Sequence, residues 1–242
     1  RSRGSGDGLR VFAAYAHPSA PWLETTTIGS EDALLDLDLE ALGRGESPGL
    51  TPTDEPVFLV CTHGRHDTCC AELGRPAAAA LAASHPEHAW EVSHIGGDRF
   101  AANLLVLPHG LYYGRVGDLD APLLAARHLD GHLDLDRLRG RSGYPFPVQV
   151  AEVAVRRAAG ETRDAAVRLL WQRREDDEWH ASFDVSGSTY AARVRRGTGA
   201  REQLTCRAVR DNPVPTYEVV EVRSASSGAP ASAPPSPASP RG

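Results

Sequence analysis

Apolar residues follow two different spacings between residues 57 and 92, and together they predict a strand, a helix and a second strand. Val57–Val60 is a short, uninterrupted apolar run after a proline, which is typical of a buried strand. Cys70–Ala83 is rich in alanine and predicts a helix, although Gly74 and Pro76 leave the position of its first turn open. Trp90–Val92 predicts the next strand. Two strands joined by a helix form a βαβ-like unit, in which functional side chains gather at the carboxyl ends of the strands.

The segments on either side of this unit extend the α/β pattern. Leu9–Tyr15 predicts a first strand, and the leucines and acidic residues of Glu31–Leu42 suit a short amphipathic helix. Leu104–Leu107 and Leu111–Tyr113 flank a Pro-His-Gly segment, which predicts a β-hairpin. Pro122–Leu129 predicts a further helix. The order strand, helix, strand, hairpin and helix is compatible with a thioredoxin-like fold.

The pattern changes after about residue 141. Val148–Val155 predicts one helix, and short strand-like runs follow it at residues 166–172, 178–185, 188–194, 201–208 and 217–222. They predict a small antiparallel sheet packed with one helix, a β-rich α+β extension. From Ser224 the chain is almost entirely serine, alanine, proline and glycine, which cannot bury a core. We therefore divide the chain into a flexible lead (1–8), an α/β domain (9–140), a β-rich C-terminal region (141–222) and a disordered tail (223–242).

Composition narrows the possible functions and location. The chain has 242 residues and a net charge of -6, which argues against a general nucleic-acid binder and would suit docking to a basic reductase. No apolar run is long enough to cross a bilayer, so no membrane association is expected. Three of the four cysteines lie in one segment, unlike a secreted disulfide framework. We expect a cytoplasmic protein.

Residue types that bind metals stand at the ends of the predicted strands. Cys61 follows the first apolar run, Cys70 opens the helix, and His94 and Asp98 follow the second strand around two glycines. Thiolates bind iron–sulfur clusters, zinc and copper(I) better than hard cations, and imidazole suits zinc, copper and iron. A helix N-terminus also favours a thiolate at Cys70. These four residues are therefore predicted to meet at one site.

Around this site the sequence resembles the sucraseferredoxin-like family, also called thioredoxin-like ferredoxins. The shared segments are Cys61–Gly64, Asp67, Cys69–Ala71, Gly74–Pro76, Trp90–Gly97, Arg99–Asn103, Leu107-Pro108, Gly110 and Tyr113–Arg115. The resemblance implies a thioredoxin-like ferredoxin domain with a 2Fe-2S cluster, held by a C-x8-C pair and an H-x3-H pair. Cys61 and Cys70 match the cysteines, and His94 matches the first histidine. It also implies an electron carrier that works with a redox partner protein; whether the chain is itself an enzyme stays open.

Asp98 stands where the resemblance would place the second histidine. Carboxylate oxygen is harder than imidazole and is an unusual cluster ligand. Three interpretations remain open: Asp98 is a ligand, a water or another histidine takes that place, or Asp98 hydrogen-bonds to a ligand. An anionic aspartate is expected to lower the reduction potential relative to a histidine.

Other functions fit parts of the same pattern. Two thiolates, one imidazole and one carboxylate make an acceptable tetrahedral zinc site. The adjacent Cys69 and Cys70 suggest a thioredoxin-like thiol redox protein, although the chain has no C-x-x-C pair. A glycoside hydrolase would need two carboxylates placed across a bond, and no such pair stands out. Cys206 lies in a strand-like run and is predicted to be structural.

Overall fold

The structure is a computed structural model that describes residues 8–65, 68–206 and 208–224 and arranges them in three β-sheets. Of the predicted lead, residues 1–7 lie outside the described residues, as does the predicted tail from residue 225 onward. The α/β class with a β-rich extension is confirmed. Within the described residues, no helix is both long and apolar enough to cross a membrane.

The N-terminal sheet is small and antiparallel. It contains β1 (Leu9–Tyr15), β2 (Trp22–Ile28) and β3 (Thr51–Pro52), and so confirms the first predicted strand. The sheet packs against the rest of the chain through an edge-to-face contact between Phe12 and Trp90, whose ring centroids are 5.1 Å apart.

The prediction of one amphipathic helix over Glu31–Leu42 is wrong. A 3-10 helix forms at Glu31–Asp36, and a five-residue helix, α1, follows at Leu39–Gly43. Leucine and aspartate alternate with period two in this segment, so a continuous helix would not keep the leucines on one face. Asp38 instead accepts a hydrogen bond from the backbone N–H of Ala41 at 2.9 Å and caps α1.

The central sheet contains five strands, which run in the order β5-β4-β6-β7-β8. The strands are β4 (Val57–Cys61), β5 (Ala89–Val92), β6 (Leu104–Leu107), β7 (Leu111–Tyr113) and β8 (Leu138–Arg141). Strands β4 and β5 are parallel, and the other pairs are antiparallel. The predicted strands and hairpin are confirmed, whereas β8 was not predicted.

Two helices cover the central sheet and complete the predicted order of elements. Helix α2 (Thr68–Ser84) connects the parallel strands, and α3 (Asp120–Leu129) follows the hairpin. Phe58, Leu81, Leu104 and Leu124 belong to one core cluster and are at most 1% exposed. The order strand, helix, strand, hairpin and helix agrees with the prediction of a thioredoxin-like fold.

The C-terminal region is an antiparallel meander with one helix. Helix α4 (Phe146–Ala159) precedes β9 (Val167–Glu175), β10 (Glu178–Val185), β11 (Ser188–Glu202) and β12 (Asn212–Ser224). The helix contacts β8 as well as this sheet, so it lies between the two. The predicted strand at residues 201–208 is wrong, because β11 is already 15 residues long and ends at Glu202. The division into domains stays a prediction.

A buried group of charges joins the central sheet to α4. Arg141, the last residue of β8, lies 3.3 Å from Glu152 and 2.5 Å from Asp164. Arg156 lies 2.9 Å from the same Glu152 oxygen. Arg141, Glu152 and Arg156 are at most 5% exposed, so each charge depends on these partners for the stabilisation that water would otherwise supply.

Candidate metal centre

The carboxyl ends of β4 and β5 bring the first part of the candidate site together. Cys61 pairs with Val92 in the parallel register, so the residues after Val92 begin beside the Cys61 side of the sheet. The backbone N–H of Thr62 donates to the carbonyl of Val92 at 3.2 Å, which extends the pairing by one step. His94 therefore lies only two residues after Val92, the last residue of β5 that is hydrogen-bonded to the β4 side.

Cys61 is held rigidly at the end of β4. It is 1% exposed, and its backbone N–H donates to the carbonyl of Asn103 at 3.0 Å. The side-chain amide of Asn103 in turn donates to the carbonyl of Gly97 at 2.9 Å. Gly97 has a φ of 79°, a backbone conformation that favours glycine. These bonds tie the loop that carries His94 to the strand that carries Cys61.

Cys70 lies in the first turn of α2 and is also 1% exposed. The predicted helix is confirmed, and it begins two residues earlier, at Thr68. Helix α2 approaches β4 closely at Gly74, where an added Cβ would overlap the carbonyl oxygen of Cys61. Because Gly74 permits this approach, the first turn of α2 can place Cys70 near Cys61.

The structure brings three of the four predicted site residues into one group. The ligand atoms of Cys61, Cys70 and His94 all lie within 4.8 Å of one another. Two soft sulfurs and one imidazole nitrogen form a donor set that fits an iron–sulfur cluster or zinc. Among the described residues no second histidine joins this group; His66 lies outside them. The sulfurs are buried, whereas the His94 side chain is 31% exposed and forms the outer side of the group.

Asp98 lies beside two of these donors. The thiol of Cys70 donates to its Oδ1 at 3.4 Å, and His94 Nδ1 lies 3.2 Å from the same oxygen. Asp98 begins a short 3-10 helix, Asp98–Phe100, and is 7% exposed. The carboxylate can therefore act on the site either as a further ligand or as a hydrogen-bond partner of a ligand, and both interpretations stay predictions.

The electrostatics at Cys70 differ from the sequence expectation. Burial raises the pKa of its thiol, and the adjacent Cys61 and Asp98 raise it further because they disfavour another negative charge. Burial and these two neighbours therefore oppose the favourable effect expected from the N-terminus of α2. A bound cation would replace the thiol protons and supply the positive charge that two buried sulfurs and a carboxylate require.

The remaining cysteines lie close to the group without being part of it. The thiol of Cys69 donates to the backbone carbonyl of Asp98 at 3.7 Å. Cys206 is exposed and lies in a turn after β11, with its sulfur 3.2 Å from the Thr68 hydroxyl. The prediction that Cys206 lies in a strand is therefore wrong. Its position near α2 had no local sequence signal, because 138 residues separate it from Thr68.

Comparisons with known proteins concern mainly the part of the chain that holds this group. A family profile described as Sucrase/ferredoxin-like matches residues 10–140, which is more than half of the chain. Among solved structures, a thioredoxin-like 2Fe-2S ferredoxin from Aquifex aeolicus is similar over 38% of this chain and 97% of its own. The two share 16% sequence identity, with a TM-score of 0.34. No curated protein matches the chain.

Proposed function

Because the chain belongs to the Sucrase/ferredoxin-like family, we propose that it is an electron-transfer protein carrying one 2Fe-2S cluster. The observation that supports this most directly is the convergence of Cys61, Cys70 and His94 within 4.8 Å at the ends of two parallel strands. We assign these three residues as ligands and Asp98 as the fourth. When bound, the cluster would supply one-electron oxidation and reduction.

The protein residues around the group perform the tasks that an electron carrier needs. The backbone bonds from Cys61 to Asn103 and from Asn103 to Gly97 fix the loop, which keeps rearrangement small when the charge changes. Burial of Cys61 and Cys70 excludes water from the sulfurs. The partly exposed His94 provides the side from which a redox partner protein, such as a reductase, exchanges electrons. We place this exchange in the cytoplasm.

A zinc site is the second candidate, because the same sulfur, nitrogen and oxygen atoms also suit a tetrahedral zinc ion. A zinc protein would be colourless and would not transfer electrons at this site. The distinction is therefore one of metal content rather than of ligand identity.

The test is elemental and spectroscopic analysis of anaerobically purified full-length protein. We expect about two irons and two sulfides per chain, a red-brown colour and a paramagnetic signal on reduction. Stoichiometric zinc without iron, even after cluster reconstitution, would contradict the proposal and favour the zinc site.

Cysteine variants make the test specific to the proposed ligands. We expect Cys61→Ser and Cys70→Ser to lose the cluster. Cys69→Ser and Cys206→Ser are matched controls with thiols at the edge of the site, and they should keep it. Equal cluster content in all four variants would refute the assignment.

A further inference from the structure

A concave site, separate from the candidate metal centre, lies beside the loop that carries His94 and Asp98. It is a cavity of about 560 Å³, bounded by this loop, β7, β8 and the segment after it, the start of α4 and β12. Its wall includes Ile95, Gly96 and Gly97, which lie between the proposed ligands His94 and Asp98, and Arg99, which follows Asp98. Cavities of roughly 300–1,000 Å³ are the usual size for small-molecule sites.

The cavity wall combines aromatic rings with positive charge. Its lining includes Phe100, Tyr112, Tyr144 and Tyr217, and at 65% exposure Phe146 is an apolar ring open to solvent at the start of α4. The lining also contains Arg99 and Arg139, and none of the described residues that line it is acidic. The charge of the lining is positive, whereas the whole chain has a net charge of -6.

Three arginines converge on the ring of Phe100. The guanidinium carbon of Arg139 lies 3.1 Å from the ring centroid, that of Arg99 4.6 Å and that of Arg115 5.8 Å. Arginine stacks well on aromatic faces, but three guanidinium groups around one ring also repel one another. Partial loss of solvation, together with the charges of Arg99 and Arg115, lowers the pKa of Arg139 to about 10.

No carboxylate compensates these charges within the described part of the chain. Arg137, which is two residues before Arg139, pairs with Asp120 at 2.9 Å. In contrast, no ion pair among the described residues involves Arg99, Arg115 or Arg139. The N-terminal end of α4, whose first turn contains no acidic residue, adds partial positive charge at the same cavity. An anion would therefore be stabilised here by several groups at once.

From this arrangement we propose that the cavity binds a planar aromatic anion, with its ring against Tyr112, Tyr144 and Tyr217 and its phosphate or carboxylate on Arg99 and Arg139. A concave wall of rings favours a small planar molecule over the flat surface of a partner protein, because ring stacking requires the ligand to enter the cavity. Arginine forks supply paired donors to a phosphate or carboxylate. The proposal concerns binding at residues other than the proposed metal ligands, so it does not depend on the electron-transfer function.

The test uses calorimetric titration of the full chain, as purified with its metal, against two planar phosphates and their uncharged counterparts. The probes are flavin mononucleotide with riboflavin, and adenosine monophosphate with adenosine, together with inorganic phosphate alone. We expect at least one mononucleotide to bind at least about tenfold more tightly than both its dephosphorylated form and phosphate alone, equivalent to about 1.4 kcal/mol. This result requires that the ring and the anion both contribute.

Arginine variants connect the binding to the cavity. Arg99→Gln and Arg139→Gln should each lower the affinity for the preferred mononucleotide by about tenfold and leave the affinity for riboflavin or adenosine unchanged. Arg10→Gln is the matched control, because Arg10 lies 5.3 Å from the ring of Phe12 in the N-terminal sheet, outside the cavity. The affinity of the Arg10→Gln variant for the mononucleotide should equal that of the unchanged protein. The visible spectrum and thermal unfolding temperature of each variant report whether it has folded.

Three results would overturn the proposal. The first is that neither mononucleotide binds more tightly than its uncharged counterpart. The second is that phosphate alone binds as tightly as the mononucleotide. The third is that folded Arg99→Gln and Arg139→Gln bind the mononucleotide as tightly as the unchanged protein does. If the variants instead weaken only complex formation with an acidic redox protein, the arginines form a docking surface and the small-molecule site is refuted.

Discussion

Gly74 of α2 lies against the carbonyl group of Cys61 so closely that a Cβ at position 74 would overlap the carbonyl oxygen and lie 3.1 Å from the carbonyl carbon. Both atoms belong to the backbone of β4 and cannot rotate away. The close approach of α2 to the end of β4 therefore depends on the absence of a side chain at position 74.

We expect Gly74→Ala to move α2 away from β4 and to separate Cys70 from Cys61. The overlap should cost about 1–3 kcal/mol in the free energy of unfolding, the usual range for overpacking. Iron content per folded chain should fall with it. Gly29→Ala is the matched control, because no heavy atom of the described residues lies within 4 Å of an added Cβ there. Full iron content in Gly74→Ala would show that the site tolerates the displacement.

Asp98 places a carboxylate beside the Cys70 sulfur and the His94 ring. Reduction adds negative charge to the site, so a neighbouring anion should disfavour it. We expect Asp98→His to raise the reduction potential by about 60 mV or more, a tenfold change in a one-electron equilibrium. Redox titration followed by visible absorbance measures this.

Two further variants separate the charge from other effects of the substitution. Asp98→Asn keeps the shape and should also raise the potential if it retains the cluster. Asp118→His alters an exposed aspartate that hydrogen-bonds to the backbone of Leu119, and it should leave the potential unchanged. Equal potentials for the unchanged protein and Asp98→His would contradict the role given to this carboxylate.

His128 on α3 is a buried histidine that should remain neutral in the folded protein. Burial, then the charge of His109, lowers its pKa from 6.5 to about 4. The unfolded chain therefore binds more protons than the folded chain between these values. The stability that neutral His128 contributes is fully present above about pH 6.5. It is lost as the pH falls to about 4, and the free energy of unfolding decreases by roughly 3 kcal/mol over this range.

Urea unfolding between pH 4 and 7 measures this effect. We expect His128→Leu to flatten the dependence of unfolding free energy on pH in that range, because leucine cannot bind a proton. His132→Gln, which removes an exposed histidine, should leave the dependence as it is. An unchanged slope in His128→Leu would show that other groups cause the acid sensitivity.

Glu152 compensates two buried arginines, Arg141 and Arg156. Glu152→Gln removes the negative charge that both buried guanidinium groups contact, and it leaves them one carboxylate, Asp164, which lies 2.5 Å from Arg141 and 3.8 Å from Arg156. We expect a loss of about 3–5 kcal/mol in unfolding free energy, the usual cost of breaking a buried ion pair. Glu46→Gln, at an exposed pair with Arg44, should change it by less than about 1 kcal/mol. Similar effects in the two variants would contradict this account.

The parts of the fold that could be predicted were those with a strong local pattern. Val57–Cys61 is an apolar run because β4 is buried inside the central sheet, and its end located the first proposed ligand. In contrast, Leu138–Arg141 contains two arginines and a glycine, and it forms a strand because it pairs with β7 at the sheet edge. Such a strand depends on distant residues that no local window contains.

The candidate site shows the same limit. Its three grouped donors were predicted from residue type and position relative to strand ends, and the structure brings them together. The convergence of Arg99 and Arg139 on Phe100 could not be predicted, because the arginines lie forty residues apart and only the packing of β8 beside the loop joins them.

The contact between Cys206 and Thr68 has a practical consequence. Cys206 is exposed, whereas Cys61 and Cys70 are buried at 1% exposure, so a thiol-specific reagent should attach first at the turn after β11. A spin label or fluorophore introduced there would stand at the start of α2, close to the donor group and outside it. The chain thus carries a natural attachment point for measuring the distance from the turn after β11 to the donor group.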